Sequence, residues 1–212
     1  MNDRENIRTN PAPEKGIAVA ALLLAAGRSQ RMGLCKQLLQ LADRPAIAHC
    51  LDTLVAAGFG EIVVVVSPTG DEVAGAVSRY PVVVAVNETD FCDMADSVRT
   101  GLSHLASGAT GILVALADHP LVRPATVAAL VGLHGEEPDA ILIPVHDGAK
   151  GHPTLFPATI LQDLREVETL RDVIARHRDK VRLVPVADEG VIMDMDVWED
   201  YLAVAERLNS PG

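Results

Sequence analysis

The stretch Ile17 to Leu24 (IAVAALLL) contains no charge and no turn residue. Such a run reads as a strand buried on both faces, as in a parallel sheet. Strand-like runs recur at 61–67, 82–86, 111–117, 140–145 and 181–186. Helix-like segments lie between and after them, at 45–57, 70–79, 94–107, 124–134, 157–165, 169–178 and 197–208. In the first of these, Ile47, Leu51, Leu54 and Val55 fall at helical spacing, and the segment stops at Gly58. The alternation predicts an α/β protein with a doubly wound, mostly parallel sheet in three layers. Ligands of such sheets bind beyond the carboxyl ends of the strands. The segment 146–157, with Gly148, Gly151, Pro153 and Pro157, is the longest irregular stretch. It is expected to form a small extension over a substrate.

The first strand breaks into LAAGRSQRMGLCK, residues 24–36. Glycines at 27 and 33 let the backbone approach an anion, and successive N–H groups can point at phosphate oxygens. Arg28, Arg31 and Lys36 supply the charge that N–H groups lack. This is neither of the two common phosphate loops. A Walker loop places Lys and then Ser or Thr directly after its second glycine, but Lys36 lies three residues past Gly33, and GxGxxG is absent.

The 212 residues fit one domain, expected over 16–212, with the polar residues 1–15 as a disordered leader. Apolar residues make up 49% with few aromatics, so the core is built from Val, Ala, Leu and Ile. No apolar run approaches membrane-span length, and residues 1–15 lack the apolar centre of a secretory signal, which predicts a cytoplasmic protein. The net charge of −11 argues against nucleic acid or an anionic membrane as partner. It also repels a nucleotide triphosphate, so a triphosphate site here needs locally concentrated cations and a divalent metal. The three cysteines, Cys35, Cys50 and Cys92, form no CxxC pair, which fits a reducing compartment. Cys35 reads as a space-filling residue ahead of a redox-sensitive thiol.

Carboxylates stand where metal chemistry would need them. Asp118 ends the run ILVALAD, rigidly held at the mouth of a strand. Its position alone serves equally a Mg²⁺ ligand and a turn or capping residue before Pro120. Asp194 and Asp196, two apart in VIMDMD, share a face if that stretch is extended. The expected division is one ligand and one residue that either caps the helix starting near Val197 or supports the ligand from behind.

LAAGxSxRMGxxK after the first strand resembles the signature of the MobA-like nucleotidyltransferases, and within them the molybdenum cofactor cytidylyltransferase branch. Leu116-Ala117-Asp118-His119-Pro120 resembles that family's acidic strand end. GHPTLF at 151–156 resembles its GHPxLF, and Asp194-Met195-Asp196 with the following Trp198-Glu199-Asp200-Tyr201 resembles its DIDTPEDY. The ordered set spans 17 to about 208. The resemblance implies a Rossmann-like nucleotidyltransferase fold and Mg²⁺-dependent transfer of a nucleotide, CMP from CTP, to the terminal phosphate of a molybdopterin-type cofactor. Pyrophosphate leaves, and a client molybdoenzyme is an implied partner.

The resemblance also implies residue roles. Arg31, Lys36 and Asp118 are catalytic. Ala25, Ala26, Gly27, Arg28, Arg31, Gly33, Lys36, Asn87 and Ser97 contact the nucleotide. Gly151 and His152 contact the substrate, and Asp118 and Asp196 bind metal, Asp196 by its match to the second Asp of DID. Arg28 reads as well as a solvated loop cation. His119 stands where relatives often carry Gln or Met. Two departures touch the acceptor and the middle of the sheet: EVETLRD at 166–172 replaces a GDxGAR-like element, and Asp93 replaces a usual glycine. The alternatives are a sugar- or alditol-phosphate nucleotidyltransferase and a non-catalytic molybdenum-cofactor chaperone. Two expectations concern stability. Lys36, on a solvent-facing loop, is expected to be dispensable for folding. Asp118→Asn is expected to leave the thermal midpoint unchanged or raised, by relieving repulsion among clustered carboxylates.

Overall fold

The charge-free stretch Val19–Leu24 becomes the middle of a sheet. The structure, a computed structural model, describes residues 18–27, 34–89, 93–106 and 108–209. The expected leader, Arg28, Arg31, Gly33 and Cys92 lie outside them. In chain order the elements are β1 (Val19–Leu24), β2 (Gln40–Leu41), β3 (Arg44–Pro45), α1 (Ala46–Ala56), β4 (Ile62–Val66), α2 (Asp71–Val77), β5 (Val83–Val86) and α3 (Met94–Ser103). They continue with β6 (Gly111–Leu116), α4 (Pro124–Glu136), β7 (Ile141–His146), β8 (Ala149–Lys150), β9 (Thr154–Pro157), α5 (Ala158–Leu161), α6 (Leu170–Arg176), β10 (Val181–Pro185) and α7 (Trp198–Asn209).

The main sheet runs β10-β7-β9-β6-β1-β4-β5, with β8 paired to β7. β1 lies parallel between β4 and β6, and β4–β5 and β7–β10 are parallel as well. Successive residues of β1 point to opposite faces. Ala21 and Leu23 pack with Ile47, Leu51, Leu54, Val73, Val77 and Leu130 from α1, α2 and α4. Ala20, Leu22 and Leu24 pack with Ala95, Val98, Ile160, Leu161 and Val173 from α3, α5 and α6. Leu22 and Leu23 are both fully buried, each worth ~1.5–3 kcal/mol of apolar burial. This is the expected three-layer, doubly wound arrangement. Chain order reverses at β1, because the chain steps outward through β4 and β5 and returns to the other side as β6. The carboxyl ends of β1 and β6 therefore flank a crevice, the place where such sheets bind ligands.

The segment 146–157 is not an irregular extension. It forms a hairpin and an inner strand. Asp147 (φ 48°) and Gly148 (φ 83°) make a two-residue turn that folds β8 back on β7, as Asp-Gly favours. β9 then runs antiparallel between β7 and β6, fully buried, with Leu155 opposite both Leu113 and Leu142. The backbone groups at the edge of β6 thus find partners within the sheet. A second hairpin, β2–β3, forms a separate two-stranded sheet. Leu41 and Ala46 from its two sides bury against Met195 and Val204. That small cluster docks α7, which brings the end of the chain to the crevice.

Candidate active site

Lys36 opens a short 3₁₀ turn, Lys36–Leu38, and is only 8% exposed. The expectation of a solvent-facing lysine is corrected here. Its Nζ donates to Asp118 Oδ2 at 2.5 Å and to Asp196 Oδ1 at 2.9 Å. Three residues far apart in sequence thus meet at one ammonium, at the mouth of the β1/β6 crevice. Burial opposes the charge on Lys36, but Asp118 and Asp196 outweigh it and raise its pKa. The ammonium is charged throughout the neutral range.

Several local features build this meeting point. Buried Gln37 donates from Nε2 to the carbonyls of Ala25 (3.2 Å) and Gly27 (3.1 Å), which fixes the exit of β1. Ala25 and Ala26 are buried, whereas Gly27 is exposed. A side chain at Gly27 would meet nothing closer than Gln37 Nε2 at 3.7 Å, so room is left beside the backbone there. Buried Met195 anchors the stretch that carries Asp194 and Asp196, and both carboxylates are exposed on either side of it. Partial burial first, and then the charges of Asp196 and Asp118, push the Asp194 carboxyl above its usual value. The backbone N–H groups of Asp196 and Val197 both donate to Asp200 at the start of α7.

Asp118 fits a cation. Its side chain is 17% exposed, and Oδ1 is buried with no hydrogen-bond partner. A buried unpartnered carboxylate oxygen is costly, and a hard divalent cation would satisfy it. Among the described residues no three His, Cys, Asp or Glu side chains form a ready cage. Mg²⁺ takes one or two carboxylates and fills its shell with water and substrate phosphates, and Asp118 and Asp196 are two carboxylates that converge on one point.

Gly151 and His152 lie beside this point. Gly151 is buried, and a Cβ there would collide with the Val191 carbonyl, so its glycine is required for packing. His152 N–H donates to that carbonyl at 2.8 Å. The His152 ring lies 5.4 Å from the ring of His119, and the Nδ1 atoms of both are buried without partners. His119 Nε2 is 3.9 Å from Asp118 Oδ1. Burial, with a smaller push from His119, lowers His152 from 6.5 to about 4, against the attraction of Asp118. At neutral pH His152 is an uncharged hydrogen-bonding group.

A pH dependence follows. The unfolded chain protonates this residue near 6.5 and the folded protein only near 4. Its contribution is therefore present above 6.5 and is lost as pH falls toward 4, by about 3 kcal/mol at most. Urea unfolding at pH ~7 and pH ~4.5 is expected to show the loss, reduced in His152→Gln. Identical pH slopes for the two proteins would contradict it.

Asn87 and Ser97 are brought together, both buried. Asn87 Nδ2 donates to Ser97 Oγ at 3.3 Å, and Ser97 Oγ donates to the Asp93 carbonyl at 3.2 Å. Asp93 caps α3 by accepting from Asp96 N–H at 2.8 Å, which accounts for a carboxylate in place of glycine. The departure at 166–172 has a similar explanation. Thr169 and Asp172 form a capping box for α6, and Arg99 donates to the carbonyls of Leu164, Val167 and Glu168. Cys35 is exposed overall, yet partial desolvation of its thiol raises the pKa, the opposite of an activated thiolate.

Two positioning residues gave no signal in sequence. Gln37 is one. The other is Asp188, 3% exposed, which accepts from Arg123 N–H, Thr126 Oγ1 and Gly190 N–H. It ties the turn supporting His152 to the loop that follows Asp118.

The sheet reversing at β1, with helices on both faces, is an α/β fold shared with a nucleotidyl transferase from Methanothermobacter thermautotroptrophicus (TM-score 0.79, 22% identity, 91% of this chain and 98% of that one). The chain belongs to the family of the MobA-like NTP transferase domain, matched over residues 21–181. It is 36% identical over 121 residues to the bifunctional protein GlmU of Clavibacter sepedonicus, covering 55% of this chain and 24% of that protein. The chain thus spans about a quarter of the length of the curated relatives it matches. It is similar to the crystal structure of Rv0371c from Mycobacterium tuberculosis, with 30% identity, a TM-score of 0.79, and coverage of 89% of this chain and 97% of that one. The manganese complex of Rv0371c matches at 27% identity and a TM-score of 0.74, covering 89% of this chain and 98% of that one. Among the described residues no helix is long and apolar enough to cross a membrane.

Proposed function

We propose that the protein transfers a nucleotide, CMP from CTP, to the terminal phosphate of a molybdopterin-type cofactor and releases pyrophosphate, with Mg²⁺ bound. The observation that carries this reading is the meeting of Lys36, Asp118 and Asp196 at the β1/β6 crevice. Asp118 and Asp196 would hold the metal, which when bound neutralises the triphosphate and the departing pyrophosphate. A manganese complex of a similar protein supports a divalent cation.

The protein's own part is positioning. An oxygen of the acceptor phosphate attacks the α-phosphorus. The bond from that phosphorus to the bridging oxygen breaks, and the electron pair leaves with pyrophosphate. Lys36, together with Arg28 and Arg31 of the loop, counters the phosphate charge. Gly27 and Gly33 admit the phosphates, and Ala25, Ala26, Asn87 and Ser97 shape the nucleotide site. His152, neutral at physiological pH, offers a hydrogen bond to the acceptor beside Gly151. No strong base is required, because the attacking phosphate oxygen is already anionic.

A second reading has its own support. The similarity to GlmU proteins favours a sugar-phosphate acceptor with the same chemistry. Product analysis with phosphate-terminated pterin and with sugar and alditol phosphates separates the two. A carrier without catalysis predicts cofactor binding with no nucleotide turnover.

Base choice provides a further test. Ala26 is buried at the end of β1, where its methyl would take the space a purine needs. CTP is expected over GTP, with Ala26→Gly relaxing the preference by ~1–3 kcal/mol. The check is kcat/KM for both nucleotides in both proteins. A wild type that prefers GTP contradicts the assignment, and an unchanged ratio in the variant moves base selection away from Ala26.

A further inference from the structure

The two carboxylates assigned to the metal are not waiting bare. One ammonium, Lys36 Nζ, touches both, Asp118 Oδ2 at 2.5 Å and Asp196 Oδ1 at 2.9 Å. A divalent cation that bridges these two carboxylates, taking up the unpartnered Asp118 Oδ1 as well, competes with that ammonium for them, and the two positive charges repel. Displacement by metal alone takes both carboxylates from a buried ammonium, which is costly. Displacement by a metal–triphosphate complex is different, because the phosphates receive the ammonium as the carboxylates release it.

We infer that Lys36 is a placeholder cation. It fills the metal position of the nucleotide-free protein and passes to the phosphates when metal and nucleotide enter together. Resting on the metal-dependent function proposed above, this makes Lys36 a positioning residue that couples two binding events. Coupling is reciprocal: nucleotide tightens metal binding by the factor by which metal tightens nucleotide binding. The metal site is then kept from filling in the absence of nucleotide.

The test uses Mn²⁺ as the probe, with free Mn²⁺ followed by its paramagnetic resonance signal. Without nucleotide, Lys36→Met is expected to bind Mn²⁺ roughly ten-fold or more tighter than wild type, while binding CTP more weakly in the absence of metal. Purely structural damage would weaken both. Mn²⁺ is also expected to raise the thermal midpoint of Lys36→Met more than that of wild type, and adding Asp118→Asn is expected to remove both gains. If Lys36→Met does not fold, Lys36→Gln provides the same comparison. Equal or weaker Mn²⁺ binding in the folded variant overturns the placeholder and leaves the proposed function standing. Absence of Mn²⁺ binding in every protein, with and without CTP, overturns both.

Discussion

Asp118→Asn is expected to lower turnover by on the order of 10³-fold, since a metal's stabilisation of developing charge is worth several kcal/mol. Asp118 follows β6, held at the mouth of the sheet, with one buried oxygen unpartnered and the other on Lys36. An amide keeps the shape but loses the charge that a hard cation requires. The same change is expected to lower the thermal midpoint. From sequence, clustered carboxylates implied relief of repulsion and an unchanged or raised midpoint. The structure reverses the sign, because Asp118 is paired with a buried lysine. Breaking a buried pair costs ~3–5 kcal/mol. Asp196 keeps its hold on Lys36 here, so a loss of about 1–3 kcal/mol is expected. Pyrophosphate release and thermal melting of wild type and variant check both parts. Normal turnover removes Asp118 from the metal site, and a raised midpoint shows that repulsion dominates.

Lys36→Ala is expected to weaken nucleotide binding by ~1.5–3 kcal/mol, the range for a hydrogen bond to a charged group. Turnover is expected to fall further, to on the order of 10²–10³-fold below wild type, because the lost charge also faces the transition state. The fold pays too. Without the ammonium, Asp118 and Asp196 face each other uncompensated beside a buried gap, and a loss of at least the ~1–3 kcal/mol of Asp118→Asn is expected. Mg²⁺ is expected to restore part of it, by neutralising the same oxygens. Calorimetry with CTP, steady-state kinetics and melting with and without Mg²⁺ measure the three effects. Wild-type kinetics would remove Lys36 from the phosphate site, and a midpoint indifferent to both mutation and metal would contradict the buried ion-pair geometry.

The central strands were legible because burial on both faces leaves no room for polar residues. IAVAALLL and IVVVV can do little else in an α/β protein. The helices followed from their spacing, and the crevice from the alternation of the two. β9 was hidden: three residues between Pro153 and Pro157, in a segment rich in turn formers, give no period to read. The hairpin before it was readable, since Asp147-Gly148 is the residue pair that such a turn demands. The site was legible as a set of residue types and opaque as geometry. Nothing in the sequence places Lys36 between Asp118 and Asp196, because contacts across 82 and 160 residues depend on where the sheet reverses and where α7 docks. A lysine in a glycine-containing loop defaults to solvent, and only the fold buries it. Gln37 and Asp188 carry no mark of their roles, since each acts on backbone groups whose positions exist only in the folded chain.

The most direct measurement is pyrophosphate release by the purified protein with Mg²⁺, each nucleoside triphosphate in turn, and a phosphate-terminated pterin or a sugar phosphate as acceptor. The account predicts release that needs metal, nucleotide and acceptor together, greatest with CTP and the pterin, and lost in Asp118→Asn. No release with any pairing, or release unaffected by excess chelator, would contradict it.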